Sequence, residues 1–248
     1  MILLTSGCSY TYGDELDSRE EAWPFILGKL LNSDKVINKG LVSGSNDFIV
    51  RTIIDNIDIV RKEEYFVVCG FTTENRIEAY CTPYDCYMLL KVGREFKKVP
   101  NSEIKSLYPK EMSEPYKEEL NKVSQDFMKY FSSDTLANLI RKADIIVLLG
   151  SFLRFLNIPF LFFNSLTTFN LKDTFMKKKY LADKYFKRIQ NLALLGKNYI
   201  NNPTFDEFTI KNNYPRGSYQ KHPLQEAHKK WAEYLNSYII ENKILEVR

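Results

Sequence analysis

Strand-like and helix-like segments alternate over the first seventy residues, and this order restricts the possible folds of the chain. Residues 2–4, 35–39 and 65–69 are short segments that we predict to be strands, and the first is a buried apolar run. Between them, Pro24 suits the first turn of a helix over residues 22–31, and residues 47–61 place apolar side chains at helical spacing. Strands and helices in this order predict a parallel sheet with right-handed crossovers.

The rest of the chain extends the pattern, with one interruption. Residues 159–163 predict a fourth strand, and helices are expected over residues 113–131, 134–156, 172–195, 204–211 and 224–241. Residues 71–114, rich in Tyr, Pro and Lys, contain a hairpin candidate at 89–99. Long spans of this kind are often lids or binding loops, so we predict an insertion beside the site, with disorder or a partner-binding surface as the alternative. We predict one domain over residues 1–248, a three-layer α/β/α fold with a parallel sheet of about five strands.

The first predicted strand ends in a turn that carries Ser9. In open α/β sheets, ligands bind beyond the carboxyl ends of the strands, so a hydroxyl at this position can meet a substrate. Gly7 and Gly13 give the backbone the latitude for a tight turn that exposes Ser9. The alternative is an ordinary strand-to-helix turn without a chemical role.

The two histidines of the chain lie near its other end, at positions 222 and 228. A serine at the start and a histidine before the last helix is the order found in the SGNH, or GDSL-like, hydrolases. The sequence resembles that family in four short blocks, which are residues 7–13, 38–46, 67–76 and 222–232. The first block has Cys8 where Asp is common in the family. The resemblance implies a flavodoxin-like fold and esterase activity.

The resemblance also implies site roles. Ser9 would be the nucleophile and His222 the base that activates it, because a serine hydroxyl is weakly nucleophilic at neutral pH. The oxyanion hole would use the backbone N–H groups of Ser9 and Gly44 and a side chain of the third block. That side chain is Thr72, with Asn75 as a substitute, because the family commonly has Asn where Thr72 stands.

The carboxylate that should orient the histidine is missing from its usual place. The family has it two or three residues before the histidine, where this chain has Gln220 and Tyr219. Gln220 could orient the imidazole through its amide oxygen, which stabilises imidazolium less than a carboxylate does. The open alternatives are a Ser–His dyad, a carboxylate from elsewhere such as Asp206 or Glu226, or a loss of catalysis.

Three further residues have candidate roles. His228 is an alternative base, and Cys8 is a rival nucleophile because thiolates attack carbonyl groups readily. Arg76 could bind a carboxylate, a sulfate or a sugar hydroxyl at the edge of the pocket, or form a structural ion pair.

Composition excludes several classes of function. The chain has 35 Lys and Arg against 31 Asp and Glu, a formal charge of +4, which gives little support for nucleic-acid binding. No signal peptide is visible, and the longest apolar stretch, residues 145–163, is interrupted by polar residues, so we expect no membrane span. We expect a cytoplasmic protein, or a virion-associated one if it is viral. The four cysteines lack zinc-ligand spacing and are predicted to be free thiols, and no metal or organic cofactor is expected.

The sequence therefore predicts a serine esterase that deacetylates an O-acetylated carbohydrate or a similar small ester. Acyl transfer to a sugar is a further enzymatic possibility. The non-enzymatic alternatives are a module that binds a glycan without cleaving it and a structural protein of a virus or of a surface-polysaccharide system, for which an oligomer is possible.

Overall fold

A parallel sheet of five strands forms the centre of the molecule. The computed structural model describes residues 1–81, 86–91, 122, 135–169 and 179–245. The strands of the sheet are β1 (Ile2–Gly7), β2 (Lys35–Asn38), β3 (Tyr65–Phe71), β6 (Phe160–Asn164) and β7 (Tyr199–Ile200), in the order β2-β1-β3-β6-β7. Two more strands, β4 (Arg76–Cys81) and β5 (Cys86–Lys91), form a separate antiparallel hairpin. The predicted fold class is confirmed.

Helices cover both faces of the sheet. They are α1 (Ser9–Tyr12), α2 (Trp23–Leu30), α3 (Asn46–Asn56), α4 (Thr135–Phe155), α5 (Lys179–Leu192), α6 (Phe205–Lys211) and α7 (Gln225–Glu241). Short 3-10 helices lie at Arg19–Glu21, Ile59–Glu64 and Ala193–Asn198. Among the described residues, no helix has the length and the apolar composition that crossing a bilayer requires.

The sheet is buried on both faces because its strands are apolar on both sides. Successive side chains of a strand point to opposite faces. Along β3, Val67 and Cys69 join the core beneath α3, α4 and α5, whereas Phe66 and Val68 join the core beneath α2, α6 and α7. The catalytic candidates at the carboxyl ends of the strands are thereby held on a rigid three-layer support.

The predicted elements match the structure closely along most of the sheet. Four strands lie where the sequence predicts them, but the two-residue strand β7 was not predicted. The predicted helix over residues 47–61 is divided, because Ile57 has extended backbone angles and ends α3 before the 3-10 helix. Ser45 caps α3 by accepting a hydrogen bond from the Phe48 N–H at 3.1 Å.

The predicted hairpin at residues 89–99 lies outside the described part of the chain, apart from residues 89–91. Those three residues belong to β5, and the hairpin that the structure does describe pairs Arg76–Cys81 with Cys86–Lys91. Glutamate is uncommon in strands, so Glu78 gives no signal for β4 in the sequence. In the structure, its carboxylate pairs with Arg51 of α3 at 2.7 Å. The predicted helix at 113–131, apart from residue 122, and most of the predicted insertion at 71–114 also lie outside the described residues, as do residues 172–178 of the predicted fifth helix.

Candidate active site

Ser9 lies immediately beyond the carboxyl end of β1. The strand ends at Gly7, and Ser9 is the first residue of the short helix α1. Gly13 ends this helix with a φ of 87°, a left-handed conformation that glycine adopts without strain. The amide of Asn38, at the end of β2, donates to the Thr11 carbonyl at 2.8 Å and fixes α1 against the neighbouring strand. The serine hydroxyl is therefore held at the ligand-binding edge of the sheet.

His222 reaches Ser9 from a loop that precedes α7. The Nε2 atom of His222 lies 2.8 Å from the Ser9 Oγ. The loop is closed by an antiparallel bridge between Arg216 and Pro223 and by the Gly217 N–H, which donates to the His222 carbonyl at 2.9 Å. Ser9 is 3% exposed and His222 is 7% exposed, so bulk water does not compete for their contact. The structure brings together the two residues that the sequence singled out.

Glu15, which the sequence did not identify, lies on the other side of the imidazole. Its Oε2 atom is 3.1 Å from the His222 Nδ1. The same carboxylate accepts backbone hydrogen bonds from Tyr219 at 3.0 Å, Gln220 at 3.1 Å and His222 at 2.9 Å. The predicted orienting role of Gln220 is therefore wrong, because the Gln220 side chain is exposed and only its backbone N–H takes part.

The charge of Glu15 determines the tautomer of the histidine. Burial raises the pKa of the Glu15 carboxyl, but the hydrogen bonds from His222, Gln220 and Tyr219 outweigh burial and leave this pKa below its ordinary value. Glu15 is thus ionised at neutral pH and can only accept hydrogen bonds. The His222 Nδ1 must then carry the proton, and Nε2 is left to accept the hydroxyl proton of Ser9.

Gly217 provides the space for the Glu15 carboxylate. A Cβ at Gly217 would lie 2.3 Å from the Glu15 carboxyl carbon and from one of its oxygens. Asp14 also approaches the imidazole, with its Oδ2 atom 3.5 Å from the His222 Nδ1. The Asp14 atom makes no hydrogen bond in the described part of the chain, so we take Glu15 as the partner of the ring.

The carboxylates suggested as substitutes lie elsewhere. Asp206, at the start of α6, accepts hydrogen bonds from the Tyr10 hydroxyl at 2.6 Å and from the Arg216 guanidinium at 2.6 Å. Glu226 is exposed on the first turn of α7. Neither residue contacts the ring of His222 in the described structure, because the carboxylate beside the ring, Glu15, lies in the loop that follows α1.

Arg216 is a second residue that the sequence did not identify. Its guanidinium donates to the Tyr10 hydroxyl at 2.7 Å, to Asp206 at 2.6 Å and to the Lys221 carbonyl at 2.5 Å. Tyr10 follows Ser9, and its ring packs edge-on against the His222 ring with centroids 5.4 Å apart. Arg216 therefore connects the serine helix, α6 and the histidine loop.

His228 and Cys8 do not fit the roles suggested as alternatives. The Nδ1 atom of His228 accepts the backbone N–H of Trp23 at 3.1 Å, at the start of α2. Burial lowers the pKa of His228 to about 3, which keeps it neutral. Cys8 is fully buried in the core that contains Leu3 and Trp23. His228 thus caps a helix, and the Cys8 thiol is inaccessible to a substrate. Cys8 and Cys69 are free thiols, as predicted.

The predicted oxyanion donors differ in their availability. The Ser9 N–H is at the first position of α1, where a helix offers no internal acceptor. The Gly44 N–H already donates to the Leu41 carbonyl at 2.9 Å, so its use would require sharing that bond. The Thr72 hydroxyl is buried and has no hydrogen-bond partner in the described part of the chain. Asn75 is half-buried in the turn before β4.

Arg76 lies at the start of β4, beside the loop that contains Gly44. Its Nη1 atom is 3.5 Å from the Gly44 carbonyl, and its buried Nε has no partner among the described residues. Among all the residues that the structure describes, no group of three or more His, Cys, Asp or Glu side chains is arranged to hold a metal ion.

The signal that could have identified Glu15 is its position in the sequence. Residues 14–21 form an acidic loop directly after the serine turn, at the edge where ligands bind. The contact between Glu15 and His222 joins residues 207 positions apart, so no local pattern indicates it.

Several solved structures are similar to this chain at low identity. One is a protein from Desulfitobacterium hafniense DCB-2 described as lipolytic and of the G-D-S-L family, 14% identical, with 96% of this chain and 98% of that chain covered and a TM-score of 0.48. Another is an acetyl-xylooligosaccharide esterase from Geobacillus Stearmophilus, 12% identical, with 96% and 93% covered and a TM-score of 0.48. A third is a lipase from a goat rumen metagenome, 12% identical, with 96% and 97% covered and a TM-score of 0.49.

Sequence comparison gives a family but no function. No curated protein sequence matches the chain significantly. Residues 12–247 match a family of unknown function, DUF6071, and this match includes Glu15, Arg216 and His222. Because the match spans nearly the whole chain, the protein belongs to the DUF6071 family.

Proposed function

We propose that this protein is a divergent SGNH-like serine esterase that acts by acyl transfer through Ser9, His222 and Glu15. One observation carries the proposal. The Ser9 Oγ lies 2.8 Å from the His222 Nε2, and the His222 Nδ1 lies 3.1 Å from the Glu15 carboxylate. A nucleophile, a base and a group that orients the base are the three parts that nucleophilic catalysis by serine requires.

Acylation begins when the Ser9 Oγ attacks the ester carbonyl and His222 accepts the hydroxyl proton on Nε2. The ionised Glu15 stabilises the resulting imidazolium. The Ser9 N–H and the Thr72 hydroxyl are the proposed donors to the oxyanion, and Gly44 joins them if its N–H is shared with Leu41. The intermediate then expels the alcohol, which takes the proton from His222, and leaves an acyl group on Ser9.

Deacylation repeats these steps with water. His222 takes a proton from a water molecule, the water oxygen attacks the acyl-enzyme, and Ser9 leaves with the proton returned by His222. No redox step occurs. An alcohol acceptor in place of water would give acyl transfer by the same chemistry.

The proposed substrate is an O-acetylated carbohydrate or a similar small ester. Support comes from the sequence resemblance to SGNH hydrolases, which often act on such esters. The alternative function, a module that binds a glycan without cleaving it, was suggested because the sequence has no carboxylate at the usual position before His222. Since Glu15 contacts the ring at 3.1 Å, we favour the enzyme.

Steady-state hydrolysis of 4-nitrophenyl acetate tests the proposal without a known substrate. We expect turnover by the wild type, none above background by Ser9→Ala, and unchanged turnover by Ser237→Ala, which alters an exposed serine of α7. Equal turnover by the wild type and Ser9→Ala would contradict the proposal. Acetate release from a panel of O-acetylated sugars then tests the substrate class.

A further inference from the structure

Arg76 borders the proposed active site through the loop that contains Gly44. Its Nη1 atom approaches the Gly44 carbonyl at 3.5 Å. This loop packs against the end of β1, since the Leu41 N–H donates to the Gly7 carbonyl at 3.0 Å and a Cβ on Gly44 would lie 3.1 Å from the same oxygen. Gly7 is two residues before Ser9, so the guanidinium is held at the same edge of the sheet as the proposed nucleophile.

The charge of Arg76 is not neutralised by a carboxylate in the described part of the chain. The neighbouring arginines differ in this respect, because Arg51 pairs with Glu78 at 2.7 Å and Arg141 pairs with Asp47 at 2.6 Å. Glu74, two residues before Arg76, instead accepts a hydrogen bond from the Thr167 hydroxyl at 3.2 Å.

The hydrogen-bonding capacity of Arg76 is also incompletely used. Its Nε is buried and has no partner among the described residues, and its contact with Gly44 is long for a hydrogen bond. A buried donor without an acceptor is unfavourable, and a guanidinium presents its donors in a planar fork that matches a carboxylate. Arg76 as a whole is only half-buried, so its guanidinium remains able to bind an anionic ligand in addition to the long contact with Gly44.

We propose that Arg76 binds a carboxylate of the substrate, so that the enzyme prefers esters that carry a negative charge close to the ester group. This inference depends on the proposed esterase function and narrows its substrate class. The charge can belong to the acyl part or to the alcohol part of the ester, and each possibility has its own pair of probes.

Two matched pairs of esters test the inference. The first pair, 4-acetoxybenzoate and 4-acetoxybenzamide, differs in charge on the alcohol part, and the second, monomethyl succinate and methyl butyrate, differs in charge on the acyl part. For each pair we divide kcat/KM for the charged ester by kcat/KM for the neutral ester, and we compare this ratio between enzyme variants. The intrinsic reactivities of the two esters cancel in that comparison. We expect Arg76→Gln to reduce the ratio of charged to neutral ester about tenfold to hundredfold in one pair.

Two further variants sharpen this test. Arg76→Lys keeps the charge but not the fork, so we expect it to retain part of the preference. Arg61→Gln removes an exposed arginine that pairs with Glu64 at 2.6 Å, and it should leave both ratios unchanged. Unchanged ratios in both pairs for a folded Arg76→Gln, or a wild type with no preference in either pair, would overturn the inference while leaving the esterase proposal intact.

A binding measurement separates the inference from the esterase proposal. Calorimetry on Ser9→Ala measures the affinity for 4-acetoxybenzoate and for monomethyl succinate without turnover. The comparison protein is Ser9→Ala that also carries Arg76→Gln. If Ser9→Ala binds one of the probes more tightly than this double variant does, the result supports the subsite even if no esterase activity is found. If each probe has the same affinity for the two proteins, the subsite is excluded.

Discussion

Glu15 is the residue that positions the imidazole of His222 in the proposed site. Its carboxylate contacts His222 by a side-chain bond of 3.1 Å and is itself held by three backbone N–H groups of the loop that contains His222. Glu15 has a φ of 65°, a left-handed conformation that is unusual outside glycine. A strained residue that orients a histidine is typical of a functional site.

Replacing Glu15 by Gln tests its role directly. Glutamine keeps the shape but removes the charge, so it can stabilise the wrong tautomer of His222 and no longer supports the imidazolium. By analogy with the amide replacement of the acid in other serine hydrolases, we expect kcat to fall about 10²- to 10⁴-fold. Asp17→Asn, an exposed change in the same acidic loop, should leave kcat unchanged. A Glu15→Gln enzyme with wild-type kcat would exclude this role.

Gly217→Ala tests the same contact from the opposite side. The added methyl group would lie 2.3 Å from the Glu15 carboxyl carbon, which must therefore move away from His222. Because the displaced carboxylate also loses its hydrogen bonds to the loop of His222, we expect the melting temperature to fall by a few degrees and kcat to fall at least tenfold. The melting temperature and kcat are measured on the same variant. A large loss of melting temperature without a loss of kcat would contradict the proposed role of the contact between Glu15 and His222.

At the scale of secondary structure elements, Arg216 links the elements that carry the proposed catalytic residues. Its guanidinium bonds to Tyr10 of α1, to Asp206 of α6 and to the Lys221 carbonyl beside His222. The guanidinium bonds these protein groups, so we interpret Arg216 as a positioning residue that keeps the imidazole aligned with Ser9.

Arg216→Lys should weaken this alignment. A lysine cannot reproduce the three contacts of the guanidinium fork, so we expect kcat to fall about ten- to hundredfold with little change in KM. The matched control is Arg188→Lys, whose arginine pairs with Asp144 at 2.8 Å between α4 and α5. A change in KM alone would indicate that Arg216 binds substrate, and no change in either constant would show that the network is dispensable.

The elements that the sequence predicted are those with strong local signals. Strands β1, β3 and β6 are apolar runs that lie in both cores, and α7 has a clear amphipathic pattern. Strand β7 has only two residues, Tyr199–Ile200, which is too short for a periodic pattern. The ion pair between Arg51 of α3 and Glu78 of β4 joins distant parts of the chain, so no local pattern reveals that it holds the hairpin of β4 and β5 against α3.

At the scale of the whole molecule, the proposed site is assembled from the two ends of the chain. Ser9 begins α1 directly after β1, and Glu15 lies in the loop after α1, whereas His222 comes from the loop before the last helix. The sequence indicated Ser9 and His222 because each lies in a block that resembles the SGNH family. It did not indicate Glu15 or Arg216, because their partners are defined by tertiary packing.

A buried lysine makes the stability of the whole molecule depend on pH. Lys142 of α4 is 1% exposed, and its Nζ donates to the Thr167 carbonyl at 2.8 Å. Burial lowers the pKa of Lys142 to about 7. The unfolded chain then binds more protons than the folded protein between pH 7 and about 10, so the free energy of unfolding rises with pH in this window.

Lys142→Met removes this proton linkage. We expect the free energy of unfolding of the wild type, relative to Lys142→Met, to rise by up to about 1.4 kcal/mol per pH unit above pH 7 and to be constant below it. Denaturant titrations at pH 6, 7, 8 and 9 measure the difference, with exposed Lys229→Met as the control. A difference that does not vary with pH would mean that Lys142 is not desolvated in solution.

The intact mass of the protein after incubation with a fluorophosphonate tests directly whether Ser9 is activated, because the probe reacts with an activated serine and does not require a known substrate. We expect a single adduct on the wild type, none on Ser9→Ala, and slower labelling of His222→Ala and Glu15→Gln. A folded wild type that stays unlabelled, or an adduct that persists in Ser9→Ala, would contradict the proposed activation of Ser9.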